Sequence, residues 1–403
     1  VTGNWTAIIV NYNGAGFIEA CLHALENCTL RPAEILVVDN DSTDDSLLEL
    51  NGYPRAQVLA QERNLGFGGG ANVGLASVET DYAVILNPDV EVEPSFGTAL
   101  VQAFTANPNL GAAGALLIFP DGETIQHAGG EVNLPECTTF HHHHGERLDS
   151  VRLFPRDVGY VTGGAMALRM SAVQEVGGFD EQLSPAYFED VDLCFTLRNA
   201  GWSIRFEPTL RALHHEGSTL KRSPAYFQFM YRNRLLFARK HLSAHDWATG
   251  FVPAELKRLR YELNNLEEAD GLTIAGANAI ESLARSVEVW DGPAVLDQDV
   301  YDQATHALAE VRQHWDTSRK PLNTRNPLLR LAGKLDNAFG PRRYLDAALG
   351  SQRAFNASVV RALEAQERVQ REQLAATLLL AIDLIGRLQE RSMPIPEPEL
   401  PEM

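Results

Sequence analysis

Three short stretches of this chain carry side chains of a kind that could do chemistry. In YAVILNPDVEVEP (82–94), an apolar run through Val84, Ile85 and Leu86 stops abruptly at Asn87, Pro88 and Asp89. Proline ends a strand because it lacks an N–H, and Asn and Asp are ordinary turn residues, so a plain turn is one reading and a ligand-facing carboxylate is the other. GGFDEQLSPAYFEDVDLCFTLRNAGW (177–202) gathers Asp180, Glu189, Asp190 and Asp192. The last three come just before the helical run LCFTLRNAG, where a helix dipole accounts for one or two carboxylates better than for three. LRALHHEGST (210–219) places His214 and His215 after an apolar run, a setting for a structural histidine or for a metal or phosphate contact.

The elements that must position these residues follow from the pattern between 6 and 118. TAIIVNY, EILVVDN, AQVLAQ and YAVILN are short apolar runs, separated by helical periodicity near 16–29, 43–50 and 70–78. That alternation predicts βαβαβαβ, a mostly parallel sheet covered on both faces by helices. Ligands of such sheets sit beyond the carboxyl ends of the strands. The polar residues fall at those ends: Asn11, Tyr12 and Asn13, then Asp39, Asn40 and Asp41, then Asn64, then Asn87 and Asp89. A turn explains each of them singly, but their joint polarity points to one ligand-facing edge.

Further strands and a long irregular connection are expected over 111–170. The four histidines at 141–144 cannot share a helix face and offer no fixed spacing to one ion, so a solvated loop is expected there. From about 224 the texture turns helical. Leu374, Leu378, Ala381, Ile385 and Leu388 follow a 4-3-4-3 spacing that suits a bundle helix or coiled coil, and PIPEPELPEM at the end suits disorder.

Composition sets the bounds. A chain of 403 residues with 45% apolar and 22% charged residues is expected to form two folded domains, and a formal charge of -19 argues against broad nucleic-acid binding. If phosphates bind, a cation should help. Cys21, Cys28, Cys137 and Cys194 have no C-x-x-C pairing, so reduced thiols are expected rather than a zinc or disulfide framework. VTGNWTAIIVNYNG has no basic n-region, and the most apolar later stretch, 374–388, is interrupted by Asp383; neither a signal peptide nor a membrane span is indicated, and a cytosolic setting is expected.

Taken in order, IIVNYNG, ILVVDNDSTDD, RNLGFGGGANVG, ILNPDVEVEP, VTGGAMALR, GGFDEQLSPAYFEDVDLCFTLRNAGW and ALHHEGST resemble the family 2 inverting glycosyltransferases of the GT-A fold, nearest the rhamnosyltransferase-like branch. The resemblance spans roughly 5–240. It implies a Rossmann-like α/β GT-A domain over 1–240; beyond it, the residue pattern leads us to expect a mostly helical region over 241–403, with a coiled-coil or oligomerisation helix at 351–391 and a disordered tail at 392–403. The implied reaction moves a sugar from a nucleotide diphospho-sugar, dTDP-rhamnose or a UDP-sugar, to a hydroxyl of a glycan or lipid-linked glycan, in bacterial surface polysaccharide assembly.

The resemblance also assigns residues. Asn11, Tyr12 and Asp39 are implied to face the base and ribose, with Asn64 and Asn72 bordering the same pocket. The strand end at 87–89 matches the family's D-x-D motif with Asn87 in place of the first aspartate: Asp89 keeps the metal position and Asn87 is left to hydrogen-bond the ribose. The implied cation is Mg2+ or Mn2+, which offsets the charge gained by the leaving nucleoside diphosphate. His214, with His215 close behind, is the carried-over histidine ligand. Asp190 of the ED pair is implied as catalytic base, on the face opposite the leaving group. Glu189 or Asp192 would orient the acceptor, and Gly163, Gly164 and Asp180 would line the acceptor side.

Two rival readings carry their own discriminators. GFGGGA (66–71) satisfies the dinucleotide G-x-G-x-x-G/A pattern, but it sits in the third βα unit after the polar QERN rather than in the first turn. A non-catalytic sugar-nucleotide-binding scaffold would explain Asn87 as decay of the motif. The leucine spacing near the end suggests a homo-oligomer, and FMYRNRLLFARKH mixes basic and aromatic residues as a peripheral contact on the inner face of the plasma membrane would.

Overall fold

The computed structural model describes residues 2–215, 224–251 and 254. The first strand, β1 (Trp5–Asn11), is buried along its whole length, as its run of Trp, Ile and Val requires of a strand covered on both faces. It is followed by α1 (Ile18–Glu26), β2 (Glu34–Asp39), the short α2 (Ser46–Glu49), β3 (Ala56–Ala60), α3 (Gly66–Leu75) and β4 (Tyr82–Leu86). β1 pairs in parallel with β2 and β4, and β2 with β3. The expected βαβαβαβ order is therefore present, with different helix bounds. The segment expected at 43–50 keeps only four α-helical residues before a 3-10 turn, Leu50–Gly52. The helix expected at 70–78 starts four residues earlier, at Gly66, because its glycines are helical rather than a preceding loop.

The next elements turn the sheet into a mixed one. After β5 (Val90–Val92), α4 (Phe96–Ala106) and β6 (Leu110–Ile118) come β7 (Ile125–His127), a separate hairpin of β8 (Gly130–Asn133) and β9 (Thr138–His141), β10 (Arg156–Asp157) and β11 (Ala165–Arg169). Then follow α5 (Met170–Val176), α6 (Glu189–Asn199) and β12 (Ser203–His214). The strand order is β10-β12-β6-β11-β4-β1-β2-β3, with β5 on β12 and β7 on β6. β11 runs antiparallel to both β4 and β6, whereas β12 is parallel to β6. This reversal has a functional consequence. It puts the residues just before β11 at the same edge as the carboxyl ends of β1, β2, β4, β6 and β12.

One face of the sheet packs Trp5, Ala7, Ile9, Val37 and Val84 against Ile18, Leu22 and Leu25 of α1 and Phe96, Leu100 and Phe104 of α4. The other face carries α3 at very short range: a Cβ on Gly74 would stand 2.4 Å from Ile8, and one on Gly70 2.7 Å from the Asn40 amide. The glycines of GFGGGA are thus accounted for by close approach of helix to sheet.

Among the described residues α7 (Pro224–His241) belongs to the same compact unit, Val1–Ser243, whereas α8 (Ala244–Asp246) and a π turn at Trp247–Phe251 belong to a second, Ala244–Met403. The expectations of further helices, of self-association through 351–391 and of a disordered tail at 392–403 lie outside the described residues. Among the described residues no helix is long and apolar enough to cross a membrane. The four cysteines are free and buried.

Candidate active site

The strand ends converge as polar geometry, beginning at the Asn-Pro-Asp corner. β4 ends at Leu86, and the Asn87 N–H donates to the carbonyl of Gly164 at 3.1 Å. Asp89 Oδ1 lies 3.2 Å from His214 Nε2, at the end of β12, and Asn87 Nδ2 lies 3.4 Å from the same nitrogen. His214 Nδ1 donates to Gln126 Oε1 at 2.6 Å. That bond leaves Nε2 as the lone-pair nitrogen of the ring. In the neutral ring, a carboxylate oxygen and a lone-pair imidazole nitrogen therefore face one another.

That arrangement fits a divalent cation. Mg2+ and Mn2+ are held by one or two protein groups plus water and phosphate oxygens, and a ligating imidazole normally donates its other nitrogen to a neighbour, as His214 does to Gln126. No cluster of three or more His, Cys, Asp or Glu able to hold a metal exists among the described residues; Asp89 and His214 are the pair that face one another at this corner. His215 goes elsewhere. It lies just past the end of β12, and its Nε2 meets Glu91 Oε1 at 2.6 Å while its ring packs beside Phe17.

The loop before β11 joins this corner to the ED pair. Gly163 donates its N–H to Asp190 Oδ2 at 3.0 Å, and Gly164, the next residue, accepts from Asn87. Consecutive Cα atoms are about 3.8 Å apart, so the two corners are held by adjacent residues. Glycine is needed at 163, where a Cβ would stand 2.7 Å from the Phe67 ring.

Asp190 Oδ1 also accepts from the Val191 N–H at 2.8 Å. The carboxylates expected just before the helix are in fact its first turn, since α6 begins at Glu189. The correction matters because the dipole favours ionised carboxylates there, while burial opposes it. Burial wins at two positions. It raises the Asp190 pKa above the ordinary aspartate value, against the hydrogen bonds from Gly163 and Val191. It pushes Glu189 well above the ordinary glutamate value, reinforced by the adjacent Asp190 charge. Glu189 is 8% exposed, and its Oε2 has no hydrogen-bond partner. Tyr160 stands close enough for the Asp190 charge to add to the effect of burial in raising its hydroxyl pKa.

The nucleotide-side candidates divide into surface and support. Tyr12 is exposed at the edge, and Asn64 is exposed with its Oδ1 capping the Gly66 N–H at 2.7 Å. Asn11 and Asp39 lie beneath them. Asn11 is fully buried and donates to Asp39 Oδ1 at 2.9 Å, and the other Asp39 oxygen accepts from the Ser42 N–H at 3.3 Å. Asn72 spends its amide on the backbone N–H and C=O of Phe179, at 2.8 and 2.9 Å. It braces the GGFDE loop against α3 rather than bordering an open pocket.

Asp180 caps Gln182 and pairs with Lys240 at 2.9 Å, which holds its carboxyl below the ordinary value despite partial burial. Asp192 is buried and taken by Lys240 and His241 at 2.8 and 2.7 Å, so its charge is committed to α7 rather than to an acceptor. The 141–144 histidines bond different partners, and His141 belongs to β9 rather than to a loop. His141 meets His127 at 2.9 Å, His143 meets Glu146 at 3.2 Å and His144 meets the Gln126 carbonyl at 2.8 Å. Gln126 and Tyr160 escape a reading by residue type, because neither a lone Gln nor a lone Tyr signals a role before its neighbours are known.

Comparison with known proteins identifies the chain's relatives. Residues 6–177 match the model of "Glycosyl transferase family 2". The chain is 30% identical over 270 residues to an N-acetylglucosaminyl-diphospho-decaprenol L-rhamnosyltransferase of Mycobacterium tuberculosis, covering 60% of this chain and 81% of that protein. It is 24% identical over 217 residues to the O-antigen chain rhamnosyltransferase WbaN of Salmonella anatum, covering 53% of this chain and 67% of the relative. Among solved structures, GalNAc-T7 with UDP, GalNAc and Mn2+ aligns at 18% identity and a TM-score of 0.46, covering 58% of this chain and 47% of that one.

Proposed function

Since the chain belongs to glycosyl transferase family 2, we propose that it transfers a sugar from a nucleotide diphospho-sugar, with inversion, to a hydroxyl of a lipid-linked glycan during bacterial surface polysaccharide assembly. The names of the two relatives support rhamnose as the sugar, and that of the mycobacterial relative supports a polyprenyl-diphosphate-linked sugar as the acceptor. The observation that carries the reading is the Gly163–Gly164 pair, whose N–H and carbonyl tie the buried Asp190 carboxylate and the Asn87 end of the carboxylate–imidazole corner to adjacent residues.

In this reading Asp190 removes the proton of the acceptor hydroxyl as that oxygen attacks the anomeric carbon. Its N–H donors from Gly163 and Val191 fix the carboxylate while burial raises its basicity. Asp89 and His214 would hold Mg2+ or Mn2+, which supplies positive charge against the departing diphosphate. Gln126 keeps His214 in the tautomer that presents Nε2. Tyr12 and Asn64 form the exposed rim toward the nucleotide, and the buried Asn11–Asp39 pair holds that rim in place. Burial and the adjacent Asp190 charge push Glu189 toward its neutral form, which lessens charge repulsion beside the base.

The test is a screen of dTDP-rhamnose, UDP-sugars and GDP-sugars, with and without Mn2+, followed by transfer assays on Asp190→Asn. Loss of transfer by about 10²–10⁴-fold with donor affinity retained is the expected outcome. Unchanged transfer removes Asp190 as the base.

A further inference from the structure

We propose that Asn233 of α7 is a positioning residue for the base: it holds the backbone kink that aims Asp190, and Arg232 braces the same segment. The inference rests on the reading of Asp190 as base. It starts from a conformational oddity. Tyr187 and Phe188 both lie in the left-handed region, at φ 77° and 71°, although neither is glycine. Such residues persist only where surrounding structure over-determines them. Phe188 is the residue from which α6 starts, so the direction of the first helical turn, and of Asp190 within it, depends on this kink.

The over-determination comes from α7. Asn233 is fully buried, and its Nδ2 lies 2.5 Å from the Leu183 carbonyl, 2.9 Å from that of Ala186 and 2.9 Å from that of Tyr187. One NH2 group has two protons, so three carbonyls converge on it and one proton is shared. The adjacent Arg232 takes the carbonyls of Ser184 and Gln182 at 2.8 and 2.9 Å and steadies the Asn233 Oδ1 at 3.3 Å. Two consecutive side chains thus satisfy carbonyls of 182, 183, 184, 186 and 187, a stretch without helix or strand to pair its own backbone beyond the 3-10 turn at Glu181–Leu183. At the far end of α7, Lys240 and His241 grip Asp192, two residues past the base. The helix therefore holds the ED pair from both sides in sequence, whereas neither α7 contact touches β1 to β4 on the nucleotide side.

The experiment uses the full chain. Asn233→Ala is expected to lower kcat on the order of 10²-fold, as a base displaced by about 1 Å would, with KM for the donor and the calorimetric affinity for UDP or dTDP with Mn2+ within twofold of the parent. Hydrogen exchange should accelerate over 182–192 and stay unchanged in β1 and β4. Arg232→Ala, which leaves the amide in place, should show the same split at smaller size and serves if Asn233→Ala does not fold; Arg239→Ala, an exposed change on the same helix, should leave kcat alone. A kcat within twofold of the parent, or a parallel loss of nucleotide affinity, overturns the proposal. If the parent transfers no sugar from any donor, the functional reading fails instead, and the exchange pattern over 182–192 still decides whether the clamp exists.

Discussion

Asp89 and His214 are far apart in the chain, and each has an unremarkable local explanation; their meaning comes from the 3.2 Å between them and from Gln126 behind the ring. Replacing Gln126 by Leu should weaken Mn2+-dependent binding of UDP or dTDP by about 10–100-fold, as losing the outer partner of a ligating histidine does. Titration calorimetry with and without Mn2+ measures it, and binding without metal should not change. Glu189 gives a stability test of definite sign. Its folded pKa is raised, so its favourable contribution is complete below the unfolded value of about 4.5 and is lost as pH rises through the folded value. Glu189→Gln should therefore raise Tm at neutral pH by a few degrees, on the order of 1 kcal/mol, with the gain shrinking toward pH 4.5 in thermal melts.

At the scale of elements, the strands of the first half-sheet were legible from their β-branched runs, and the convergence of their polar ends followed from parallel pairing alone. The helices were less so. α3 was misplaced because four glycines within five residues read as loop by propensity; packing overrides this, since only glycine lets that helix lie against Ile8, Val10 and Asn40. Gly70→Ala tests the point. Its methyl would stand 2.7 Å from the Asn40 amide that donates to the Gly66 carbonyl, so the intrinsic gain in helix propensity should be outweighed by about 1–3 kcal/mol of overpacking. A lower Tm together with weaker donor binding is the expected result.

Across the whole molecule, the family match ends at residue 177, yet Asp180, Glu189, Asp190 and His214 all come later. The reason lies in β12, which runs parallel to β6, pairs with it from Ser203 to Leu213, and carries His214 back to β5 beside Asp89. A chain cut after 177 leaves the fully buried β6 with an open edge and should be insoluble. A chain ending at Ser243, the limit of the first compact unit, should stay folded and retain Mn2+-dependent nucleotide binding. Circular dichroism and calorimetry on the two fragments check both outcomes.

The sequence by itself determined the kind of domain, the edge where the polar strand ends gather and the residue types available there, because alternation of apolar runs dictates a parallel sheet and its strand ends. It left open which of His214 and His215 faces Asp89, which protein groups the Asn72 amide bonds, and how Asp190 is held. Only the tertiary structure decided these. Each depends on contacts between segments distant in the chain, through the reversal of β11, the return of β12 and the carbonyls gathered by α7, and no local pattern encodes the angle at which such segments meet.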